Sequence, residues 1–351
     1  MKIYVPYGSK SLPIEIDKRR LISVLTPAER RPVDDVEAEI ESSLRKPIRS
    51  PEIGEIVGLG KRVGIACDDN TRVTPVHMVL PILLKILREC GVRPQDVTVF
   101  VALGTHRRMT NGEMREKYGA DLVEAYSFVN HEYDDPSELK LVGKIEENVP
   151  VWINRRFLAC DVRIGLSNVI PHFTAGWSGG SKILLPGLAG RETVGQMHYL
   201  SANTMPNAVG RTDVPARRLI DHFGQKVGLH FSVNTVLTRK GEIAGVFSGD
   251  PIEARMRAVQ LSKTIYGIEL PSRADIVVSS SYPADIDFWQ AEKGLFSADL
   301  ATRRGGGILL ITPCPARVSA SHSEFAEMLQ YRPSEIVSLM ETENVKDLIA
   351  A

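Results

Sequence analysis

RVGIACDDNTRVTPVHMVLPILLKILRE, residues 62–89, carries the reading on which the fold turns. Val63 to Cys67 is a short unbroken apolar run, the pattern of a parallel strand covered on both faces rather than of a strand with one wet side. Asp68 to Pro75, DDNTRVTP, is polar and predicts the loop after that strand, and Val76 to Glu89 predicts a helix. The same order recurs downstream. Asp96 to Leu103 reads as a strand running into GTHRRMT, residues 104–110, with Asn111 as the cap of the next helix. Asp161 to Ser167 is a third apolar run, Leu229 to Leu237 alternates as a strand, and Asp250 to Tyr266 has helical spacing. Later, Ala274 to Ser279 reads as a strand, Tyr282 to Asp287 as a polar loop, Phe288 to Thr302 as a helix and Gly307 to Thr312 as a strand.

Strand, loop and helix in alternation predict an α/β protein with largely parallel, Rossmann-like sheets. At 351 residues the chain exceeds one ordinary core, which predicts two domains, 1–270 and 271–351, each a doubly wound unit, with a hinge near Leu270 to Arg273. Ligands in such sheets gather at the carboxyl ends of the strands. Four polar clusters follow apolar strands here: Asp68 to Arg72, Gly104 to Arg108, His172 to Lys182 and Tyr282 to Lys293. They are expected to share one edge, in a cleft between the domains.

Composition excludes several classes. Net charge is zero and the pI is about 7.1, so no global field recruits nucleic acid or an anionic membrane. The opening MKIYVPYGSKSLPIEID carries charges where a secretory signal needs an apolar block. Val76 to Leu87, interrupted by His77, Pro81 and Lys85, is too short to span a bilayer. Cys67, Cys90, Cys160 and Cys314 form no CxxC pair, which fits a reducing cytoplasm.

PHFTAGWSGGSKILLPG, residues 171–187, has no regular apolar period, and Gly176, Gly179 and Gly180 bracket Ser178. Backbone amides in such a turn can hold an anion with Lys182 in reach; the plainer reading is a tight turn before the buried segment Ile183 to Leu185. His106 and His172 each follow a buried strand, which points to acid/base or metal work, whereas His198 alone reads as structural. No HExxH or short HxH spacing supports a zinc hydrolase. Asp69 and Arg72 are placed to pair and position a carboxylate or phosphate. Gln290 and Lys293, at i, i+3, either clamp a substrate or form an ordinary exposed pair. GxGxxG and GxxxxGK[ST] are both absent, and Gly305 to Gly307 precede a strand rather than a helix.

Taken together, DDNTR, GTHRRMT, PHFTAGWSGGSKILLPG with His198 beyond it, and YPADIDFWQAEKG resemble, in order and spacing, the nickel-dependent lactate racemase family from about Arg62 to Cys314. The resemblance implies a racemase or epimerase of a 2-hydroxy acid that works by reversible hydride transfer. It also implies a nickel pincer nucleotide, a pyridinium-3-thioamide-5-thiocarboxylic acid mononucleotide made by separate biosynthetic enzymes. By matching positions, Lys182 is the residue attached covalently to that cofactor and His198 the protein ligand to nickel. His106 and His172 are the acid/base pair, exchanging roles between enantiomers. Asp69, Thr71, Arg72, Ser178, Gly179 and Pro186 fall at the cofactor, and Gln290 and Lys293 at the substrate. A single imidazole suffices for nickel because the pincer supplies the other three positions. The chain departs from the family pattern at Trp289, where a tyrosine-like aromatic is expected, and at Ser181 before the lysine, both bearing on pocket size. Family members run on past the point where NVKDLIAA closes this sequence, so the resemblance implies a C-terminal unit shorter than theirs as an expectation.

Two other classes remain open to the same residues. One is a non-catalytic protein that binds an anionic metabolite or nucleotide in the same cleft; the other is a zinc-type hydrolase using the three histidines. Two histidines at strand ends weigh against the first, because an anion sensor needs no proton shuttle.

Overall fold

A computed structural model describes residues 1–342, so the closing NVKDLIAA lies outside the described residues. Its centre is β1 (Val63–Asp68), which leads through the DDNTR loop into α1 (Val76–Glu89). There follow β2 (Val97–Ala102), α2 (Asn111–Tyr118), β3 (Ser127–Asn130), β4 (Val162–Asn168), α3 (Arg191–Thr204), α4 (Pro215–Val227), β5 (Phe231–Leu237), β6 (Ile243–Gly249) and α5 (Glu253–Tyr266). The six strands form one sheet in the order β6-β5-β4-β1-β2-β3. All neighbours are parallel except β6, which returns antiparallel to β5.

The apolar runs explain this sheet. Val63, Ile65 and Cys67 of β1 face α1, where Val79, Leu80, Leu83 and Leu87 are buried. Ala66 faces the opposite way, into a second cluster with Phe100, Phe157, Ile183 and Leu185. Each such fully buried Leu or Val contributes on the order of 1.5–3 kcal/mol, so both faces of β1 resist being uncovered. The chain runs outward from β1 to β3, then crosses back to place β4 on the other side of β1. That reversal is a topological switch point, and it opens a crevice at the carboxyl ends of β1 and β4.

Beyond an irregular stretch after α5 the chain forms β7 (Ala274–Ser280), α6 (Phe288–Ala291), α7 (Lys293–Ala301) and β8 (Thr302–Ile311). β7 and β8 pair in parallel as a two-stranded sheet with α7 packed against both. A second doubly wound unit was expected; among the described residues there is only this pair, with Ile276 69% and Leu309 56% exposed. The expected single helix 288–302 is broken at Glu292, and the last strand begins at Thr302, so Gly305 to Gly307 lie inside it. The cap before α2 is Thr110 rather than Asn111, because Thr110 and Glu113 complete a reciprocal capping box.

The N-terminal hairpin, Lys2–Tyr7 with Lys10–Glu15, crosses the expected division at 270. Ser280 Oγ donates to the Pro6 carbonyl at 2.8 Å, and the Gly8 amide donates to Asp285 at 3.0 Å. Among the described residues no helix is long and apolar enough to cross a membrane.

Candidate active site

Asp69 leaves the carboxyl end of β1 and is 1% exposed. Its Oδ1 accepts from the Thr71 amide at 3.0 Å and the Thr71 hydroxyl at 2.6 Å, which fixes the turn. Its Oδ2 faces His106 Nδ1 at 2.6 Å, reached from the end of β2. Burial works to raise the Asp69 pKa, but the interaction and hydrogen bond with His106, together with Arg72 and Thr71, outweigh it and hold the carboxyl well below its ordinary range. Burial lowers His106 in turn, with Arg72 and Lys293 adding to the shift, although Asp69 opposes it. The pair therefore rests as a carboxylate and a neutral imidazole that gives Nδ1–H to Asp69 and keeps a lone pair on Nε2.

That lone pair has a partner from α6, which follows β7. Gln290 Nε2 donates to His106 Nε2 at 3.2 Å, while Gln290 Oε1 accepts from Lys293 Nζ and, at 3.4 Å, from Arg72 Nη1. These two donors fix which end of the amide faces the imidazole. Asp287 sets the position of this turn: its Oδ1 accepts from the Gln290 amide at 2.9 Å and its Oδ2 from the Ala320 amide at 2.9 Å. The expected Asp69–Arg72 pair is absent, because His106 takes the carboxylate and Arg72 Nη1 instead donates to Thr71 Oγ1 at 2.7 Å.

His172 follows β4 on the far side of the switch point. Its Nδ1 accepts from the Thr174 and Ala175 amides at 3.1 and 3.3 Å, which leaves the ring proton on Nε2. The imidazole stacks on Phe173 at 4.9 Å, and Phe173 on Phe296 of α7 at 4.3 Å. Burial pushes His172 well below its ordinary value, with the charges of Lys182, Lys293, Arg72 and His198 adding to it. Lys182 is pushed down to about 7 by burial and then by Arg72, and Lys293 falls well below its ordinary value for the same two reasons. His198, from α3, completes the group around His172.

The four polar clusters thus converge at one crevice, as their positions after strands predict. Ser178, Gly179 and Pro186 shape it without adding a side chain to the cluster. Ser178 Oγ staples the loop, donating to the Asn168 carbonyl at 2.7 Å and accepting from the Ile170 amide at 2.9 Å. The Gly180 amide is held by Asn234 Oδ1 at 2.8 Å, so with the Ser178 amide bound to the Ile170 carbonyl two of the amides expected to face an anion are already engaged. Pro186 packs against Gly104 at the end of β2. Ser181 is buried against Gly224 of α4 and so does not line the pocket. Trp289 leans on His322 and Phe325 at 4.5 and 4.7 Å.

Sequence reasoning missed His322, whose Nε2 lies 3.1 Å from Thr105 Oγ1 beside His106, because it follows no strand. It missed Phe296 and the buried Arg217, Asn234 and Arg255 as well, since nothing in their local pattern separates them from ordinary helix and strand residues. Among the described residues no three His, Cys, Asp or Glu side chains converge on a common point for a metal, which removes the three-ligand zinc arrangement.

Comparison with known proteins gives consistent relatives. Residues 7–210 match the family described as the lactate racemase N-terminal domain. The chain is 29% identical over 320 residues to the lactate racemase of Thermoanaerobacterium thermosaccharolyticum, covering 89% of this chain and 74% of the relative. It is 29% identical over 323 residues to the lactate racemase of Lactiplantibacillus plantarum, covering 88% and 74%. Its backbone is similar to the lactate racemase apoprotein of T. thermosaccharolyticum, with a TM-score of 0.88 and 26% identity over 100% of this chain and 84% of that one. A crystal structure of a Thermotoga maritima protein shares the fold, with a TM-score of 0.73 and 23% identity over 92% of this chain and 82% of that one.

Proposed function

The chain belongs to the lactate racemase N-terminal domain family, and from that premise we propose that it interconverts the enantiomers of a 2-hydroxy acid, lactate or a malate-like or larger relative. The observation that carries the reading is the Asp69–His106 pair, whose Nε2 lone pair stands beside Gln290 with Arg72 and Lys293 close by. A 2-hydroxy acid needs that set: a guanidinium and N–H donors for its carboxylate and an acceptor for its hydroxyl proton. Arg72, Lys293 and Gln290 would hold the carboxylate so that only the substituents on Cα reorient. His106 Nε2 receives the hydroxyl proton and gives it back. Asp69 keeps the imidazole in the right tautomer, and His172, neutral with its proton on Nε2, presents a hydrogen-bond donor to the same space.

The residues present fit a nickel pincer nucleotide. Lys182 is a buried amine whose pKa falls to about 7, suited to an acyl-type linkage, and His198 supplies one imidazole on the same side, both acting on His172. At the carboxyl end of β4 the Ser167 hydroxyl and Asn168 Nδ2 are buried without a hydrogen-bond partner, donors left over for a polar group. When bound, the cofactor supplies the hydride acceptor and donor. In this reading residues 1–270 carry the cofactor and 271–351 close over the substrate. An anion-binding protein would use the same donors, but it has no use for a carboxylate-oriented imidazole.

The test is to produce the chain together with the cofactor-building enzymes, then measure intact mass, nickel content and lactate enantiomers by chiral chromatography. An adduct mapped to Lys182, near-stoichiometric nickel and interconversion are expected, and Lys182→Ala should lose all three. A Lys182→Ala chain that keeps the adduct mass and the turnover removes Lys182 from this role. An adduct without turnover of lactate sends the search to larger 2-hydroxy acids.

A further inference from the structure

Two guanidinium groups lie beneath the glycine-rich loop. Arg217 of α4 is 3% exposed and Arg255 of α5 is 2% exposed. Arg217 is paired: its Nε donates to Asp221 at 2.9 Å, and its Nη1 to the Gly179 carbonyl at 3.1 Å. Arg255 forms no carboxylate pair among the described residues. Its Nε donates to the Ser178 carbonyl at 3.2 Å, its Nη2 to the Trp177 carbonyl at 3.5 Å, and its Nη1 meets Met256 Sδ at 3.5 Å. Three successive carbonyls, 177 to 179, thus each face a guanidinium, and the Lys182 amide donates to the last of them, Gly179, at 3.3 Å.

Burying a guanidinium is costly, and among the described residues Arg255 has only the charge of Asp221, already bonded to Arg217, to offset it, so a purely structural role is a poor account of Arg255. An apolar side chain would fill the volume, and a neutral amide could serve one carbonyl. The loop backbone itself admits no other residue type at its crest. Gly179 and Gly180 have φ of 85° and 56°, and a Cβ on either would meet Val169 Cγ2 at 2.5 Å or the Pro251 carbonyl at 2.5 Å.

We propose that Arg255 and Arg217 are positioning residues for Lys182: their planar forks hold carbonyls 177–179 and so set where the lysine amine stands for its covalent linkage. The inference rests on the cofactor reading above and adds to it two residues that no sequence motif marks. Burial is the main force that favours the uncharged amine, and Arg72 and Arg217 add to it.

The experiment uses the purified chain without cofactor and acetic anhydride as the probe, with Lys182 acetylation scored by peptide mass spectrometry against the chain's exposed lysines as internal standards. In the parent protein Lys182 should react faster than those standards. Arg255→Met should lower the Lys182 ratio by about 10–100-fold, as small misplacements of a reacting group do. Arg255→Lys, which keeps a cation but not the fork, should fall between. Equal ratios in the parent and an Arg255→Met chain of unchanged circular dichroism and melting temperature overturn the proposal. If the Met variant does not fold, Arg217→Lys carries the test, because it retains a charge opposite Asp221 and loses the bond to Gly179; an unchanged ratio there overturns it equally. Absence of any adduct on the parent chain made with the cofactor-building enzymes sinks the proposed function instead, and the acetylation ratios still judge the cradle.

Discussion

The six-stranded sheet and the two-stranded sheet are written in similar residues and end in opposite environments. GIACD in β1 and IVVSS in β7 are both short apolar runs, yet Ile65 is fully buried and Ile276 is 69% exposed. The difference lies in what covers them. β1 has α1 on one face and the 183–189 segment with α4 on the other, whereas β7 and β8 have α7 and little else. The crevice draws on both: His106, His172 and Lys182 come from the buried frame, Gln290 and Lys293 from the thin shelf. Reacting groups that must not move are placed on the part with the larger resistance to local opening.

The largest effect that would sharpen this division is His106→Gln, which should cut turnover by about 10²–10⁴-fold while substrate affinity changes little. A comparable loss of affinity would break it, by making the frame a binding element. Next, Ile164→Ala in β4 should cost about 2–5 kcal/mol in a denaturant titration, the usual range for emptying a packed site. On the shelf side, Lys293→Met should raise KM by about 10–100-fold with a smaller change in kcat, the signature of lost ground-state binding. A fall in kcat equal to that in kcat/KM would instead move Lys293 into the chemistry.

Acidification separates the regions again. His106, His172 and His131 are all pushed down by burial, His131 to about 4, and all three belong to the frame. The unfolded chain, with imidazoles near pH 6.5, takes up protons first. Stability is therefore full above about pH 6.5 and falls below it, by up to about 1.4 kcal/mol per pH unit for each imidazole still neutral in the fold. Melting temperatures between pH 7.5 and 5 would read this, and no slope would mean that the imidazoles are not held neutral. The smallest effect is expected at Ile276→Lys, within about 0.5 kcal/mol of the parent, because a side chain already in water has little to lose. A large loss there would show that something covers β7 in solution.

The frame was legible because its signals are local and concordant. An apolar five-residue run, a polar loop ending in proline and a helix with one apolar face allow few other arrangements for residues 62–89. The convergence of loops was legible too, since parallel strands place their carboxyl ends together. The partner of Asp69 was not. Arg72 is three residues away and His106 is 37, and only the adjacency of β1 and β2 puts the imidazole closer. The exposure of β7 and β8 was hidden for a related reason: an apolar run reports what a strand needs, and whether a covering layer exists is decided elsewhere in the chain. His322, Phe296 and Arg255 reach the site across the fold, from positions whose neighbours in sequence look ordinary.

The Gln290 amide presents an oxygen to Arg72 and Lys293 and an N–H to His106 Nε2, so it spells out a recognition pattern in the protein's own atoms. Under the proposed function, a ligand that copies the pattern while lacking a transferable hydrogen on its central carbon would seat on the same partners and not turn over. Hydroxamates and 2,2-disubstituted hydroxy acids have that layout, which gives medicinal chemistry a starting scaffold drawn from a single glutamine.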